Sequence, residues 1–511
     1  MSLRDFWRFF SFGGRSAASA TGKVSSPLDR IEHFVVLMLE NRSFDTMLGR
    51  LYPQSPTFDG LAGTETNLDG NGVSVGIDGA DVPGIDLFAV PNAHPGEHWT
   101  DINEQIFGWE AAQANSFAKP NMSGFVTNYL RQKGKPLDIF LPWAIMYCFS
   151  PAQLPVLSGL ARQFAVCDRW FASAPCQTWP NRFFMHTGTH GGFENNRPGA
   201  IYDMPTIFER LQEAKGFAGW SVYYHDIAQS MALSRLWAYP MGFAPFDKFL
   251  REAADGTLPA YSFIEPRYFT DLDVPNDQHP PHDVTHGEML IADVYNALRN
   301  GPAWNSTLLI ITYDEHGGCY DHVPPPAAAA PSTEPLQPFT FDRFGVRVPA
   351  VLVSPYIRPG TVLRPPGQVP FDHTSVMATL RKRFALGGPL TRRDAVAPTL
   401  EGVLTLSKPD NAGPSHIAAR AMATTHELRL SRSPRQLNDL QRSLHELSRN
   451  LPVSRTDVDA HLMRKRAASS EHVHDSGISP LQAIEDVKRC VGGLFAAAAA
   501  AATSNSSTRR P

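Results

Sequence analysis

Short apolar runs separated by long polar connections set the rhythm of this chain. The stretch from Ile31 to Leu39 is dominated by Phe, Val, Leu and Met, the pattern of a strand buried on both faces, and so predicts a parallel sheet. The pattern returns at Thr307 to Tyr313 and at Val348 to Val353. The first of these follows a helical stretch from about His286 to Arg299, which Gly301-Pro302 terminates. Helix followed by buried strand predicts an α/β fold. Connections rich in Gly, Pro, Asn and Asp occupy residues 52 to 97 and 323 to 340, and loops this long carry a site or cover one. Beyond residue 405 the text becomes polar and helical, with Leu428, Leu430, Leu437, Leu440, Leu444 and Leu447 at roughly helical spacing. The expected division is a flexible leader over 1–28, an α/β domain over 29–405, a helical extension over 406–485 packed on the core, and a disordered tail over 486–511 that contains the alanine run Ala496 to Ala502.

Composition narrows the class. With 511 residues, 42% of them hydrophobic, the chain can bury a large soluble core. A net charge of −4 gives it no general attraction to nucleic acid or to an anionic membrane. Five scattered cysteines form no C-x-x-C pair and read as free thiols. No apolar run is long enough to span a bilayer. Near the N-terminus Arg4 and Arg8 alternate with Phe6, Trp7, Phe9, Phe10 and Phe12. This makes a poor signal peptide, and it suits either transient contact with a bilayer surface or an unstructured leader.

Candidate chemistry gathers at the ends of the predicted strands, the edge where open α/β sheets bind ligands. The first strand runs into Glu40-Asn41-Arg42-Ser43-Phe44-Asp45, and the second into Asp314-Glu315-His316-Gly317-Gly318-Cys319-Tyr320-Asp321-His322. Taken singly, Glu40 reads as a helix cap and Asp314-Glu315 as a polar loop. Together they bring hard oxygen ligands to one point, which suits a divalent cation that polarises a phosphoryl oxygen. Thr178-Trp179-Pro180-Asn181-Arg182 opens a helix, whose N-terminus favours a phosphate. Thr178 is therefore either a nucleophile or a cap, and Asn181 and Arg182 are placed to hold non-bridging oxygens. Among 18 histidines, His279 and His282 stand out because prolines lock their spacing and Asp283 adjoins them; such imidazoles neutralise phosphate charge or protonate a leaving alkoxide.

In this order the motifs resemble the phosphoesterase family that contains non-specific phospholipases C and certain bacterial acid phosphatases. The resemblance covers roughly residues 29 to 405 and includes Asp372-His373-Thr374-Ser375. It implies a three-layer α/β/α, alkaline-phosphatase-like core with a mostly parallel sheet. It also implies one divalent metal ion bound by Glu40, Asn41, Asp314 and Glu315 with Thr178 completing the shell, and a substrate phosphate held by Asn181. Some acid phosphatases of the family carry serine where Thr178 stands, so threonine sides with the lipases. Upstream, His94-Pro95-Gly96-Glu97-His98-Trp99 matches a family histidine motif only loosely, and His94, Glu97 and His98 compete for that role. The expectation is a metal-dependent phospholipase C, with Thr178, His279 and His282 catalytic and Asn181, Arg182, His98 and His373 on the substrate. The alternatives are an acid phosphatase for small phosphomonoesters and an inactive lipid-binding protein. No nucleic-acid partner is expected, and the sequence identifies no protein partner.

Overall fold

A computed structural model of the chain describes residues 26–507 apart from 80–84, 92, 114–118, 133–140, 201, 270–273, 333–338, 422–436 and 453–478. The aromatic and basic leader, Leu428 and Leu430 lie outside the described residues. The strands are β1 (His33–Leu39), β2 (Ala165–Cys167), β3 (Trp220–Tyr224), β4 (Phe243–Pro245), β5 (Tyr261–Ile264), β6 (Thr307–Tyr313), β7 (Ala350–Val353) and β8 (Thr361–Leu363). The principal helices are α1 (Phe44–Leu48), α2 (Trp99–Phe107), α3 (Pro155–Gln163), α4 (Thr178–Thr187), α5 (Ile207–Lys215), α6 (Phe246–Asp255), α7 (Val284–Asn300), α8 (Thr374–Phe384), α9 (Asp439–Asn450) and α10 (Pro480–Ser507).

All eight strands form one sheet in the order β8-β2-β7-β6-β1-β5-β3-β4. Its centre is β1, paired in parallel with β6 on one side and β5 on the other. Every residue of β1 from Phe34 onward and all of β6 are buried, as their unbroken apolar character demands. Helices α3, α6 and α7 pack together on one side of the sheet, and α4, α5 and α8 form a second group. The result is the expected three-layer α/β/α core. One strand departs from expectation: β7 runs antiparallel to both β6 and β2. Parallel pairing needs a crossover, and the described residues between β6 and β7 contain no helix to make one. The chain therefore returns from the carboxyl edge and enters β7 from there.

Beyond the core, α9 and α10 pack against each other. Leu440, Leu444 and Leu447 of α9 and Ala483, Ile484, Val487, Val491 and Leu494 of α10 are buried, and each buried leucine contributes roughly 1.5–3 kcal/mol. Residues 486–507 are thus helical where a disordered tail was expected. Their apolar positions recur at three- and four-residue spacing, and alanine has the highest helix propensity of any residue. The pair docks on the core through Gln441 Nε2, which donates to the Tyr268 carbonyl at 2.7 Å, and through Phe495, which stacks on Tyr224.

An interior charge network ties the carboxyl-edge loops together. The Arg347 guanidinium donates to Asp45 Oδ1 at 2.8 Å, to Asp321 Oδ1 at 2.9 Å and to the carbonyls of Asp59 and Asp168. His322 Nδ1 lies 2.6 Å from Asp45 Oδ2. Asp45, Asp321 and His322 have a spacing that would admit a cation, but Arg347 already supplies the positive charge. Arg347→Met would strand two buried carboxylates and should cost about 3–5 kcal/mol, read as a lower denaturant midpoint at unchanged slope. Burial disfavours a charged His322, yet Asp45 and Asp59 more than offset it and lift its pKa to about 10. A raised folded pKa stabilises fully below the unfolded value, so this contribution should decline as pH rises through about 10.

Candidate active site

At the end of β1 the chain turns sharply. Asn41 takes a left-handed backbone conformation, φ 55°, which asparagine tolerates better than most residues and which often marks a functional turn. That turn points the Asn41 N–H at Asp314 Oδ1, 2.9 Å away at the end of neighbouring β6. Gly317 makes the approach possible, since a Cβ there would sit 2.4 Å from the Asn41 carbonyl oxygen. Pairing of β1 with β6 thus places Glu40 and Asn41 beside Asp314 and Glu315.

The resulting cluster is closed to solvent and rich in carboxylates. Glu40 Oε1 accepts from Arg182 Nη2 and Gln229 Nε2, each at 2.6 Å. Asn41 Nδ2 donates to Glu315 Oε1 at 2.9 Å and to Glu97 Oε2 at 2.6 Å. Glu315 Oε2 accepts from the Gly317 N–H. Two buried oxygens, Glu40 Oε2 and Asp314 Oδ2, have no hydrogen-bond partner. Burial pushes the Glu40 carboxyl well above its ordinary pKa despite Arg182. Burial, then Glu97 and Asp314, do the same to Glu315. Four buried carboxylates faced by Arg182 and by the imidazoles of His94 and His279 leave negative charge uncompensated. Unpartnered carboxylate oxygens in such surroundings fit a hard divalent cation.

Thr178 is fully buried as the first residue of α4. Its Oγ1 lies 3.5 Å from Asn41 Oδ1, while the cap position belongs to Gln177, whose side chain makes no capping bond. The hydroxyl therefore faces the carboxylate cluster instead of closing its own helix.

Other predicted residues occupy different places. Asn181 donates to the carbonyls of Ala174, Cys176 and Gln177 and accepts from the Ala174 N–H, so its hydrogen-bonding capacity is used in holding the loop that delivers Thr178. Arg182, expected on substrate oxygens, is bound to Glu40 and to the Met38 carbonyl. His373, likewise expected on substrate, has Nε2 2.6 Å from the Asp314 carbonyl and Nδ1 3.3 Å from Trp170 Nε1. It braces Asp314 from behind. His98 is half exposed at a rim, 3.8 Å from Asp439 of α9. His282 Nδ1 is 2.6 Å from Asp277 Oδ1, and its ring centroid is 6.2 Å from that of buried His279.

Sequence reasoning left Glu97 and His94 unassigned, and the structure brings both to the cluster. His279 Nε2 lies 3.5 Å and His94 Nε2 4.0 Å from Glu97 Oε2. Burial opposes charge on Glu97, but His94 and His279 outweigh it and hold its pKa at about 2. Burial opposes charge on His279 too, and Glu97 raises its pKa nonetheless. A cleft of about 250 Å³ opens beside them, lined by His94, Glu97, His98, Thr100, Asp101 and Asp439 among others. The sequence signal for Glu97 was its place in the loose histidine motif His94 to Trp99, which does not choose among His94, Glu97 and His98.

Comparison with known proteins gives the family of the chain. The model of the phosphoesterase family matches residues 31–387. Non-specific phospholipase C3 of Arabidopsis thaliana is 38% identical over 447 residues, covering 83% of this chain and 82% of the relative. Non-specific phospholipase C4 of the same plant is 38% identical over 81% of this chain and 78% of its own. Phospholipase C A of Mycobacterium tuberculosis (strain ATCC 25618 / H37Rv) is 28% identical over 81% of this chain and 86% of its own.

Proposed function

Because the chain belongs to the phosphoesterase family and is a hydrolase of phosphoric ester bonds, we propose that it is a phospholipase C, cleaving phosphatidylcholine-type lipids to diacylglycerol and a phosphorylated head group. The observation that carries the reading is the meeting of Thr178 Oγ1 with Asn41 beside two unpartnered carboxylate oxygens. The names of the relatives support the choice of substrate.

In the proposed reaction Thr178 Oγ1 forms a bond to phosphorus, in line with the departing glycerol oxygen. The threonine gives its hydroxyl proton to a carboxylate of the cluster around Asn41, Asp314 or Glu315, and the leaving alkoxide takes a proton from His279, with His282 and Asp277 behind it. Water then cleaves the phospho-threonine and releases phosphocholine, so two inversions retain configuration at phosphorus. One divalent cation held by Glu40, Asn41, Asp314 and Glu315, with Thr178 completing its shell, would lower the pKa of the threonine hydroxyl and offset charge on the non-bridging oxygens. Arg182 fixes Glu40, His373 fixes Asp314, and Asn181 fixes the loop before Thr178. The site's burial excludes bulk water, which strengthens each of these interactions.

No helix among the described residues is long and apolar enough to cross a membrane. We propose peripheral, transient contact with the bilayer that holds the substrate. Phosphatidylcholine liposomes incubated with the protein should yield diacylglycerol and phosphocholine in equal amounts. Efficient cleavage of a chromogenic phosphomonoester, with kcat/KM far above that for phosphatidylcholine, would instead identify an acid phosphatase built on the same residues.

A further inference from the structure

Glu97 lies outside both strand-end motifs and outside the helix that carries Thr178, yet its carboxylate contacts Asn41 of the first motif, the N-cap residue Gln177 of that helix, and His279. Oε2 accepts from Asn41 Nδ2 at 2.6 Å and faces His279 Nε2 at 3.5 Å. Oε1 accepts from Gln177 Nε2 at 3.2 Å, on the residue immediately before Thr178. The residue is 1% exposed, so these contacts are not diluted by water.

The consequence for Asn41 is directional. An amide has two N–H donors on one atom and two lone pairs on the other, and a carboxylate accepts only. Glu97 on one side and Glu315 on the other take both Nδ2 hydrogens. Asn41 Oδ1 is thereby turned toward Thr178 Oγ1, presenting an oxygen where a cation ligand is needed. Without Glu97 a flip that put a donor there would break one hydrogen bond, to Glu315, instead of two. The same carboxylate also faces Nε2 of the His279 ring, whose Nδ1 lies 2.7 Å from the Pro280 carbonyl; the Pro280 contact and the charge of Glu97 orient the ring and leave Nε2 without a hydrogen-bond partner of its own.

We propose that Glu97 is a positioning residue of the phosphoryl-transfer site, fixing the Asn41 amide with its oxygen toward Thr178 and the His279 ring against the opposite side. The inference rests on the reading that Asn41 and Asp314 hold a cation beside Thr178. It assigns Glu97 no bond to substrate or ion.

The test uses the full chain and the divalent ion that copurifies with it, identified and counted by elemental analysis. In Glu97→Gln one acceptor oxygen becomes an NH2, so Asn41 and Gln177 can no longer both be satisfied. Stripped protein titrated with the ion alone should show affinity weakened 10- to 100-fold, the usual effect of losing a group that orients a ligand. Turnover at saturating ion should fall at least about tenfold, because His279 is released as well. Glu97→Asp keeps the charge but withdraws it by one methylene, and should give a smaller loss of the same sign even if Glu97→Gln does not fold. Ion affinity and saturated turnover within twofold of the parent in the folded variants would overturn the proposal. So would two ions per parental chain falling to one in His94→Ala, which would make Glu97 a ligand of a second cation with His94 and His279. If no ion copurifies, or if Asp314→Asn binds it as the parent does, the cation reading itself fails, whatever Glu97 does.

Discussion

Thr178→Ala is expected to lower turnover by at least about 10³-fold at saturating ion while leaving the fold in place, the ion binding more weakly for the loss of one ligand. The expectation follows from where the hydroxyl points. A threonine that capped α4 would accept a backbone N–H from its own helix, and its loss would cost about 1 kcal/mol with little effect on rate. In the structure Gln177 occupies the cap position, and Thr178 Oγ1 faces Asn41 from inside the helix. Nothing in the helix needs that oxygen. Thr178→Ser keeps a hydroxyl at nearly the same place and should retain appreciable activity. Acid quenching during turnover should trap phosphate or phosphocholine on Thr178 of the parent and on no residue of Thr178→Ala. Near-parental turnover in an ion-loaded alanine variant would end the covalent mechanism and leave direct attack by water.

How far the site could be read in advance depended on whether its residues lay on regular elements. Glu40, Asn41, Asp314 and Glu315 were legible because apolar runs of fixed length deliver them, and pairing of β1 with β6 then leaves one geometry. The opposite hand of β7 was hidden, since an apolar run of four residues reads identically in either direction. Asn181, Arg182 and His373 lie on elements that the motifs mark, but sequence carries no information on where a side chain's hydrogen bonds end. In the fold they brace the loop before Thr178, Glu40 and Asp314. Glu97 and His94 were obscured for the opposite reason: they sit in a long irregular connection, whose path is set by tertiary contacts that no periodicity encodes. The tail was misread because low complexity suggested disorder, although alanine at that density favours helix and the preceding apolar stripe gives it a partner in α9.

Removal of the divalent ion should abolish turnover and also lower stability, and the second effect makes the prediction independent of any substrate. Glu40, Asp314 and Glu315 are buried together, with Glu40 Oε2 and Asp314 Oδ2 lacking partners. A cation that binds this cluster only in the folded chain stabilises it by mass action, about 2.7 kcal/mol when the free ion is at 100 times its Kd. Exhaustive chelation should therefore depress the thermal midpoint, and adding back the ion should restore both midpoint and activity. Asp314→Asn keeps the shape and still accepts from the Asn41 N–H, but deletes one negative charge beside the ion. It should weaken ion binding and reduce turnover on the order of 10²–10³-fold, with a smaller stabilisation on adding ion. Its own ion-free midpoint should lie at or above that of the ion-free parent, because one buried like-charge repulsion has been removed. That inversion separates a ligand from a merely structural carboxylate, whose loss would lower the midpoint with or without the ion. Full turnover in chelated protein, or an unchanged ion affinity in Asp314→Asn, would remove the cation from the mechanism or Asp314 from its ligands.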